Sequence, residues 1–114
     1  MDELDLVRRA IELIVEKKGE NVVVIDLRDV PIPTSHFVIA SGDNPVHVKA
    51  IVSGMIADFP RKALHREGHA ERRWVVLDYG ELVIHVFQRE AREFYDIESL
   101  WADHIIEVDS PVAG

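Results

Sequence analysis

Apolar residues recur every three or four positions near the start of the chain. Leu4, Val7 and Ile11 share this spacing, with acidic residues early in the stretch and basic residues late. Such a pattern is typical of an amphipathic helix whose charges complement its dipole. We therefore predict a helix over residues 2–18, packed against a sheet and ended by Gly19.

Two short apolar runs follow with the periodicity of strands. Residues 22–25 are an unbroken β-branched run, which predicts a strand that is covered on both faces and lies near the centre of a sheet. Residues 26–35 contain two prolines one residue apart and predict a connection. Residues 36–40 predict a second strand.

A second helix is indicated by a capping pair and by helical spacing of apolar residues. Asn44 suits the N-cap and Pro45 the first turn, and Pro60 ends the pattern. The polar residues 61–73 then predict a mobile crossing segment, with a short edge strand near residues 65–68.

Two β-rich runs within residues 74–87 flank a break at Gly80 and predict a hairpin. Its loop length stays open. A loop of two residues ending at Gly80 places Trp74 opposite His85. A loop of three residues places Trp74 opposite Ile84, and this loop is favoured because glycine then occupies the left-handed bulge position.

The hairpin leads into a short helical region. His85 and Phe87 point to one face of the sheet in either register. Residues 88–94 predict one short helix, and Asp96 caps a second turn over residues 97–101. The order of elements predicts an α/β fold in which helices flank a mixed β-sheet.

Composition narrows the class of protein. With 114 residues we expect one domain over residues 1–108 and a disordered tail over residues 109–114. The absence of cysteine excludes disulfides and thiol catalysis. No leader or membrane-spanning run is evident, so we expect a cytoplasmic protein without membrane contact. The formal charge of −8 disfavours general nucleic-acid binding and suits docking on a basic protein.

Paired acids and histidines suggest metal or phosphoryl-transfer chemistry only weakly. His65 and His69 are four residues apart, but Gly68 lies between them and no third ligand is evident. Asp26 and Asp29 sit across a strand end, where their side chains do not converge, and are better interpreted as turn formers. The sequence predicts no catalytic residue and no metal site.

Anion-binding patterns are equally sparse. The pair Ser41-Gly42 precedes a helix and could hold a phosphate on its amides, yet the glycines and lysine of nucleotide loops are missing. Residues 61–73 hold the one basic patch, which acidic residues interrupt. We therefore expect no cofactor and at most peripheral contact with RNA.

Aromatic residues give the stronger signal. Trp74, Tyr79, Tyr95 and Trp101 are four of the eight aromatics and gather around the hairpin. Tryptophan and tyrosine are enriched where proteins anchor one another. Tyr79, at the tip of the hairpin, is expected to be hard to bury within its own domain. The pattern predicts a protein-binding surface, although the same surface could serve a homodimer of the free protein.

Residues 22–101 resemble the ribosomal silencing factor family, also called the Iojap-like or RsfS family. The segments that carry the resemblance are Val24–Arg28 (VIDLR), Phe37–Gly42 (FVIASG), Trp74–Phe87 (WVVLDYGELVIHVF) and Glu90–Trp101 (EAREFYDIESLW). They occur in order, with family-like spacing, over most of the domain. This resemblance implies a fold related to nucleotidyltransferases, without the catalytic Gly-Ser and Asp-x-Asp pattern of active members.

The same resemblance implies a non-enzymatic role in translation. Members of the family bind the large ribosomal subunit through its ribosomal protein fourteen, block joining of the small subunit and repress translation when nutrients are scarce. Organelle relatives assist assembly of the large subunit. The alternatives are therefore an assembly factor and a nucleotidyltransferase-like enzyme.

The family's hairpin and final helix imply a contact surface on this chain. Apolar residues in it would supply affinity, and acidic residues would face cations on the partner. The implied partner-binding residues are Trp74, Leu77, Asp78, Tyr79, Glu81, His85, Phe87, Glu90, Tyr95, Leu100 and Trp101.

Overall fold

A computed structural model describes residues 2–108. Its strands are β1 (Glu20–Asp26), β2 (His36–Gly42), β3 (His65–Glu67), β4 (Trp74–Asp78), β5 (Leu82–Gln88) and β6 (Ile105–Ile106). Its helices are α1 (Glu3–Glu16), α2 (Pro45–Asp58), α3 (Arg89–Tyr95) and α4 (Ile97–Leu100), and a 3₁₀ turn spans Ala102–His104. The predicted tail, residues 109–114, lies outside the described residues.

The six strands form one mixed sheet in the order β3-β4-β5-β2-β1-β6. Strands β2 and β5 are parallel and every other neighbouring pair is antiparallel. This confirms the predicted α/β fold with a mixed sheet flanked by helices. The prediction that β1 is central is wrong, because β2 and β5 form the middle of the sheet. Strand β1 has only the two-residue β6 between it and the edge.

Both long helices begin after a side-chain cap, and the cap of α2, Asn44, is the one predicted from the sequence. The Asp2 carboxylate accepts a hydrogen bond from the Asp5 amide (2.9 Å) at the start of α1. The Asn44 side chain does the same for the His47 amide (2.9 Å) at the start of α2. Side-chain oxygens at these positions satisfy amides that the helix itself leaves unpaired.

The two faces of the sheet are covered to different degrees. Helices α1 and α2 lie on one face and enclose a core of nineteen buried residues. The other face has a second core of only five buried residues, which are Ile25, Leu27, Ile39, Phe87 and Ala91. The short helices α3 and α4 cover that face, and neither exceeds seven residues. Partly buried aromatic side chains complete the second core.

The hairpin register differs from both predictions. Trp74 lies opposite Phe87, rather than opposite His85 or Ile84. The residue opposite Trp74 therefore lies two residues further along β5 than the two-residue loop predicts and three further than the three-residue loop predicts. The prediction that His85 and Phe87 share a face is confirmed, since their rings stack 6.4 Å apart.

A turn of two residues, Gly80 and Glu81, explains this register. The Tyr79 amide donates to the Leu82 carbonyl (2.8 Å), so these two residues close the ladder. Gly80 takes a φ of +88° as the first turn residue, and its amide donates to the Asp78 carboxylate (2.8 Å). Positive φ is accessible to glycine at little cost, which places the turn one residue beyond the predicted position.

The edge strand predicted near residues 65–68 is confirmed as β3, which pairs with β4. Among the described residues the longest helices have 14 residues, and none is long and apolar enough to cross a membrane.

Candidate partner-binding surface

Trp74 and His85 are tied together on the less covered face of the sheet. The indole Nε1–H of Trp74 donates to Nδ1 of His85 (3.1 Å). Because Nδ1 accepts this bond, Nε2 carries the ring proton of the neutral imidazole. Nε2 is buried and has no hydrogen-bond partner within residues 2–108. Burial lowers the pKa of His85 to about 4, so the ring is neutral at pH 7.

Aromatic rings extend from this pair across the sheet. Trp74 stacks on Phe87 with centroids 4.9 Å apart and packs against Tyr95 at 4.8 Å. His85 meets Phe37 edge to face at 4.6 Å. Offset and edge-to-face pairs at such distances are favourable beyond their buried area. The stack therefore holds the half-buried Trp74 ring in one orientation.

The outer part of the cluster is exposed. Phe94 and Leu100 are 74% and 78% exposed, and Tyr95 is 43% exposed. The Phe94 ring lies edge-on to Tyr95 at 5.1 Å, and the Arg73 guanidinium lies within 6 Å of both rings. We call the rings of Phe37, Trp74, Phe94, Tyr95 and Trp101, together with the exposed Leu100 on α4 over the same face of the sheet, the aromatic face. Large apolar side chains exposed together are typical of interaction sites.

Helices α3 and α4 hold the aromatic face against the sheet. Arg92 links them, because its guanidinium contacts the Glu98 carboxylate (2.7 Å) and donates to the Ser41 hydroxyl (2.8 Å). Asp96 takes a left-handed conformation between the helices, with φ at 45°, and its carboxylate accepts from the Ser99 hydroxyl (2.6 Å). After α4, Trp101 packs against the second core. The face is thus built on a cross-linked support.

Acidic side chains surround the aromatic face. Glu90, Glu93, Asp96 and Asp103 are exposed on or next to α3, α4 and the 3₁₀ turn. None of these four makes an ion pair within residues 2–108. Their negative potential is therefore available to a positively charged partner.

Several predicted contact residues lie inside the protein. Leu77 and Phe87 are fully buried, and His85 is 7% exposed. Leu77 points to the face under α1 and α2, because it is three residues from Trp74 and side chains alternate along a strand. In this conformation Leu77 and Phe87 are core residues, and His85 supports Trp74 from below.

Tyr79 also departs from expectation. Its ring packs on Phe59 at 4.6 Å, on the face covered by α1 and α2, and its hydroxyl is buried without a protein partner within residues 2–108. This burial raises the pKa of Tyr79 to about 12, and Arg66 opposes the shift. The expectation that Tyr79 is hard to bury is wrong, because its ring packs against Phe59 at the end of α2.

The predicted acids are divided between two places. Asp78 and Glu81 lie at the hairpin turn, about 13 Å from Trp74 along β4 at the usual rise per strand residue. Glu90 is exposed on α3 beside the aromatic face. The structure thus places Trp74, Tyr95 and Trp101 on the second core and leaves Leu100 and Glu90 exposed on α4 and α3, which cover the same face, whereas the hairpin turn lies apart from them.

A sequence model of the family described as "Ribosomal silencing factor during starvation" (RsfS) matches residues 1–113. The chain belongs to the RsfS family. The resemblance predicted from the sequence is therefore confirmed.

Individual relatives agree with this assignment. The RsfS ribosomal silencing factor of Halalkalibacterium halodurans is 31% identical over 106 residues, which cover 90% of this chain and 91% of the relative. A crystal structure of a Chromobacterium violaceum protein matches with a TM-score of 0.84 and 27% identity, covering 100% of this chain and 95% of that one. A mouse protein named mitochondrial assembly of ribosomal large subunit protein 1 is 28% identical and covers 80% of this chain and 42% of the relative.

For this RsfS family member, sequence reasoning missed two exposed parts of the surface, Phe94 and Arg73. A helical wheel would have given the first. Ala91 is the buried residue of α3, and Tyr95, four positions on, lies on the same side. Phe94 is then about 100° away from Tyr95 and points outward. Arg73 precedes β4 and gave no signal of its own.

Acidic residues near Ser41 bear on the possibility of catalysis. Glu20 and Asp43 both approach this strand end, and both contact the guanidinium of Arg89, at 2.7 Å in the case of Glu20. The two carboxylates are therefore already paired with a cation. Within residues 2–108, no group of three or more His, Asp or Glu side chains is arranged to hold a metal ion.

Proposed function

We propose that this RsfS family member binds the large ribosomal subunit through ribosomal protein fourteen. Binding there blocks joining of the small subunit and so represses translation. The protein acts in the cytoplasm, by steric exclusion, and its contact with ribosomal RNA is peripheral.

Membership of the silencing factor family supports a role on the ribosome. The observation that carries the rest is the aromatic face, where the exposed ring of Tyr95 packs against Trp74, Phe94 packs against Tyr95, and Leu100 is exposed on α4. Exposed rings on a rigid support fit a protein partner, since rigid aromatics lose little entropy on binding. The acids around them favour a cationic partner over RNA, whose phosphates they would repel.

A non-enzymatic mechanism agrees with the arrangement near Ser41. A nucleotidyltransferase needs carboxylates that are free to hold metal ions. Here Glu20 and Asp43 are occupied by Arg89. Steric exclusion needs no turnover, so the surface alone is sufficient for the proposed activity.

Sedimentation with purified ribosomal subunits tests the proposal. Wild-type protein should pellet with large subunits and, at saturation, reduce their joining to small subunits. Leu100→Ala should weaken binding about tenfold or more, because it removes an apolar anchor from the proposed contact. Leu64→Ala is the matched control, since Leu64 is 76% exposed but lies outside the aromatic face, next to β3.

Each outcome of this test is informative. Undiminished joining at saturating protein would contradict the repressor role. Equal loss of binding in the Leu100 and Leu64 variants would remove the aromatic face from the contact.

Assembly of the large subunit is the second candidate, because the name of the mouse relative describes that role. Binding to immature but not to mature large subunits would favour it.

A homodimer of the free protein is the competing use of the aromatic face. Light scattering would then show a dimer that Leu100→Ala converts to a monomer. Unchanged binding of that monomer to large subunits would assign the aromatic face to the dimer alone.

A further inference from the structure

A hollow lies on the far side of the sheet from the aromatic face, where α2 ends and the hairpin turns. Its volume is about 440 Å³, and a second hollow of about 360 Å³ shares Phe59, Arg61 and Tyr79 with it. Pockets for small ligands generally have volumes of this order. Nothing in the proposed ribosomal contact uses this region.

Three cations line the first hollow. Arg61, Lys62 and Arg66 come from the segment between α2 and β4, and all three are exposed. None of them makes an ion pair in the described part of the chain. In a protein with a formal charge of −8, three unpaired cations around one concavity form a local site for an anion. Of the residues that the structure describes, no acidic one lines this first hollow.

The rest of the lining is aromatic and apolar. The rings of Phe59 and Tyr79 pack at 4.6 Å, with Ile56 beside them, 42% exposed. The Tyr79 hydroxyl has no hydrogen-bond partner among the residues that the structure describes, and Arg66 is close enough to lower its pKa. A buried hydroxyl without a partner is unusual in a native protein. The site therefore combines an apolar floor, an unpaired hydroxyl and a cationic rim.

We propose that this hollow binds a nucleotide, with its base against Tyr79 and Ile56, above the buried Phe59, and its phosphates on Arg61, Lys62 and Arg66. Arginine forks match the geometry of phosphate oxygens, and aromatic rings stack on any base. The acidic surface elsewhere and the concave shape favour a small ligand over an RNA strand. The Tyr79 hydroxyl hydrogen-bonds to the bound ligand after a small movement of the ring.

Calorimetric titration of the full-length chain tests this site without ribosomes, so its result is independent of the proposed function. The probes are ADP, GDP, adenosine and pyrophosphate. ADP or GDP should bind at micromolar to submillimolar concentration. Adenosine lacks the phosphates and pyrophosphate lacks the base, so both should bind at least tenfold more weakly.

Variants connect binding to the named residues. Arg66→Glu should weaken binding of the nucleotide about tenfold or more, since it replaces a phosphate-binding cation by an acid. Tyr79→Phe keeps the ring and should weaken it roughly threefold to tenfold. Lys49→Glu makes the same change of charge at an exposed position of α2. It is the control and should leave the affinity for the nucleotide within twofold of wild type.

Three results would overturn the proposal. The first is absence of binding by both nucleotides at millimolar concentration. The second is equal affinity for the nucleotide and either fragment, which would indicate a simple anion site or a simple apolar site. The third is displacement of ADP by a short single-stranded RNA that binds more tightly and loses affinity in Arg66→Glu, which would make this an RNA site.

Discussion

His85 is the residue in which burial has the largest consequence for charge. Its Nδ1 accepts from Trp74, and its Nε2 is enclosed without a protein partner in the described residues. Protonation would place a positive charge among Trp74, Phe37 and Phe87, where water cannot solvate it. The ring is therefore a neutral acceptor that orients Trp74, and acid should loosen this arrangement.

The stability of the protein should depend on pH through His85. The unfolded chain binds a proton near pH 6.5, whereas the pKa of His85 in the folded protein is about 4. Between these values the unfolded state binds more protons, so the free energy of unfolding falls as the pH falls. The loss from this residue can reach about 3 kcal/mol at pH 4.

Urea unfolding of wild-type protein and His85→Gln, at pH 7 and at pH 4.5, measures this effect. Glutamine keeps an acceptor for Trp74 and does not titrate. The variant should lose less stability between the two pH values. His36, whose pKa burial also lowers, is present in both proteins and its contribution cancels. An identical pH dependence in the variant would show that His85 contributes nothing.

At this scale, the sequence predicts well what depends on neighbours along the strand. Alternation alone places His85 and Phe87 on one face, and it would also have separated Leu77 from Trp74. The burial of Tyr79 is different. That burial depends on Phe59, which is twenty residues away in the chain, and no local sequence pattern predicts a contact between the two rings.

The connection between β3 and β4 is the element with the tightest backbone packing. Gly68 has a φ of +85°, and a Cβ at this position would overlap the carbonyl oxygen of Trp74. Gly80 has a similar φ of +88°, but a Cβ there would meet only the side chain of Leu64, at 3.3 Å. The two glycines thus share a backbone conformation, but only Gly80 has room for a Cβ atom.

Gly68→Ala and Gly80→Ala should therefore differ in stability. Gly80→Ala is expected to cost about 1–2 kcal/mol from the left-handed conformation alone. Gly68→Ala adds a clash with the main chain and should cost more than about 3 kcal/mol. Urea unfolding at pH 7 gives both values. Equal losses would mean that β3 moves away from β4 without cost.

Prediction of whole elements succeeded where a chemical signal marks each end. Asn44 and Pro60 mark the two ends of α2, and apolar spacing followed by Gly19 marks α1, so both helices are predictable from the sequence. The hairpin register was not, because Glu81 is polar and suits a turn as well as an exposed strand end, so nothing in the sequence moves it from the strand into the turn. The actual turn depends on Gly80 being the first turn residue, and a shift of one residue changes every pairing.

In the molecule as a whole, one face of the sheet is fully covered by helices and the other is only partly covered. Helices α1 and α2 seal their face of the sheet, whereas α3 and α4 are too short to cover the other and leave the aromatic face exposed. The sequence predicts that aromatics gather near the hairpin. It does not predict that Tyr79 and Trp74 lie on opposite faces, because both predicted loops place Tyr79 in the turn, where the alternation of side chains along a strand does not apply.

The charge around the aromatic face should control the rate at which the protein associates with its partner. Glu93 is exposed on α3 next to Phe94, and Glu16 is exposed at the end of α1 on the opposite layer. Glu93→Lys and Glu16→Lys change the net charge equally, so they differ only in position. With a cationic partner on the large subunit, Glu93→Lys should slow association several-fold at low salt, and Glu16→Lys should change it less than twofold. Stopped-flow or surface-based association rates at several salt concentrations measure this, and the difference should shrink at about 0.5 M salt as screening increases.

Equal slowing of association in the two variants would show that net charge alone matters. Faster association of Glu93→Lys would mean that the aromatic face contacts the phosphates of RNA.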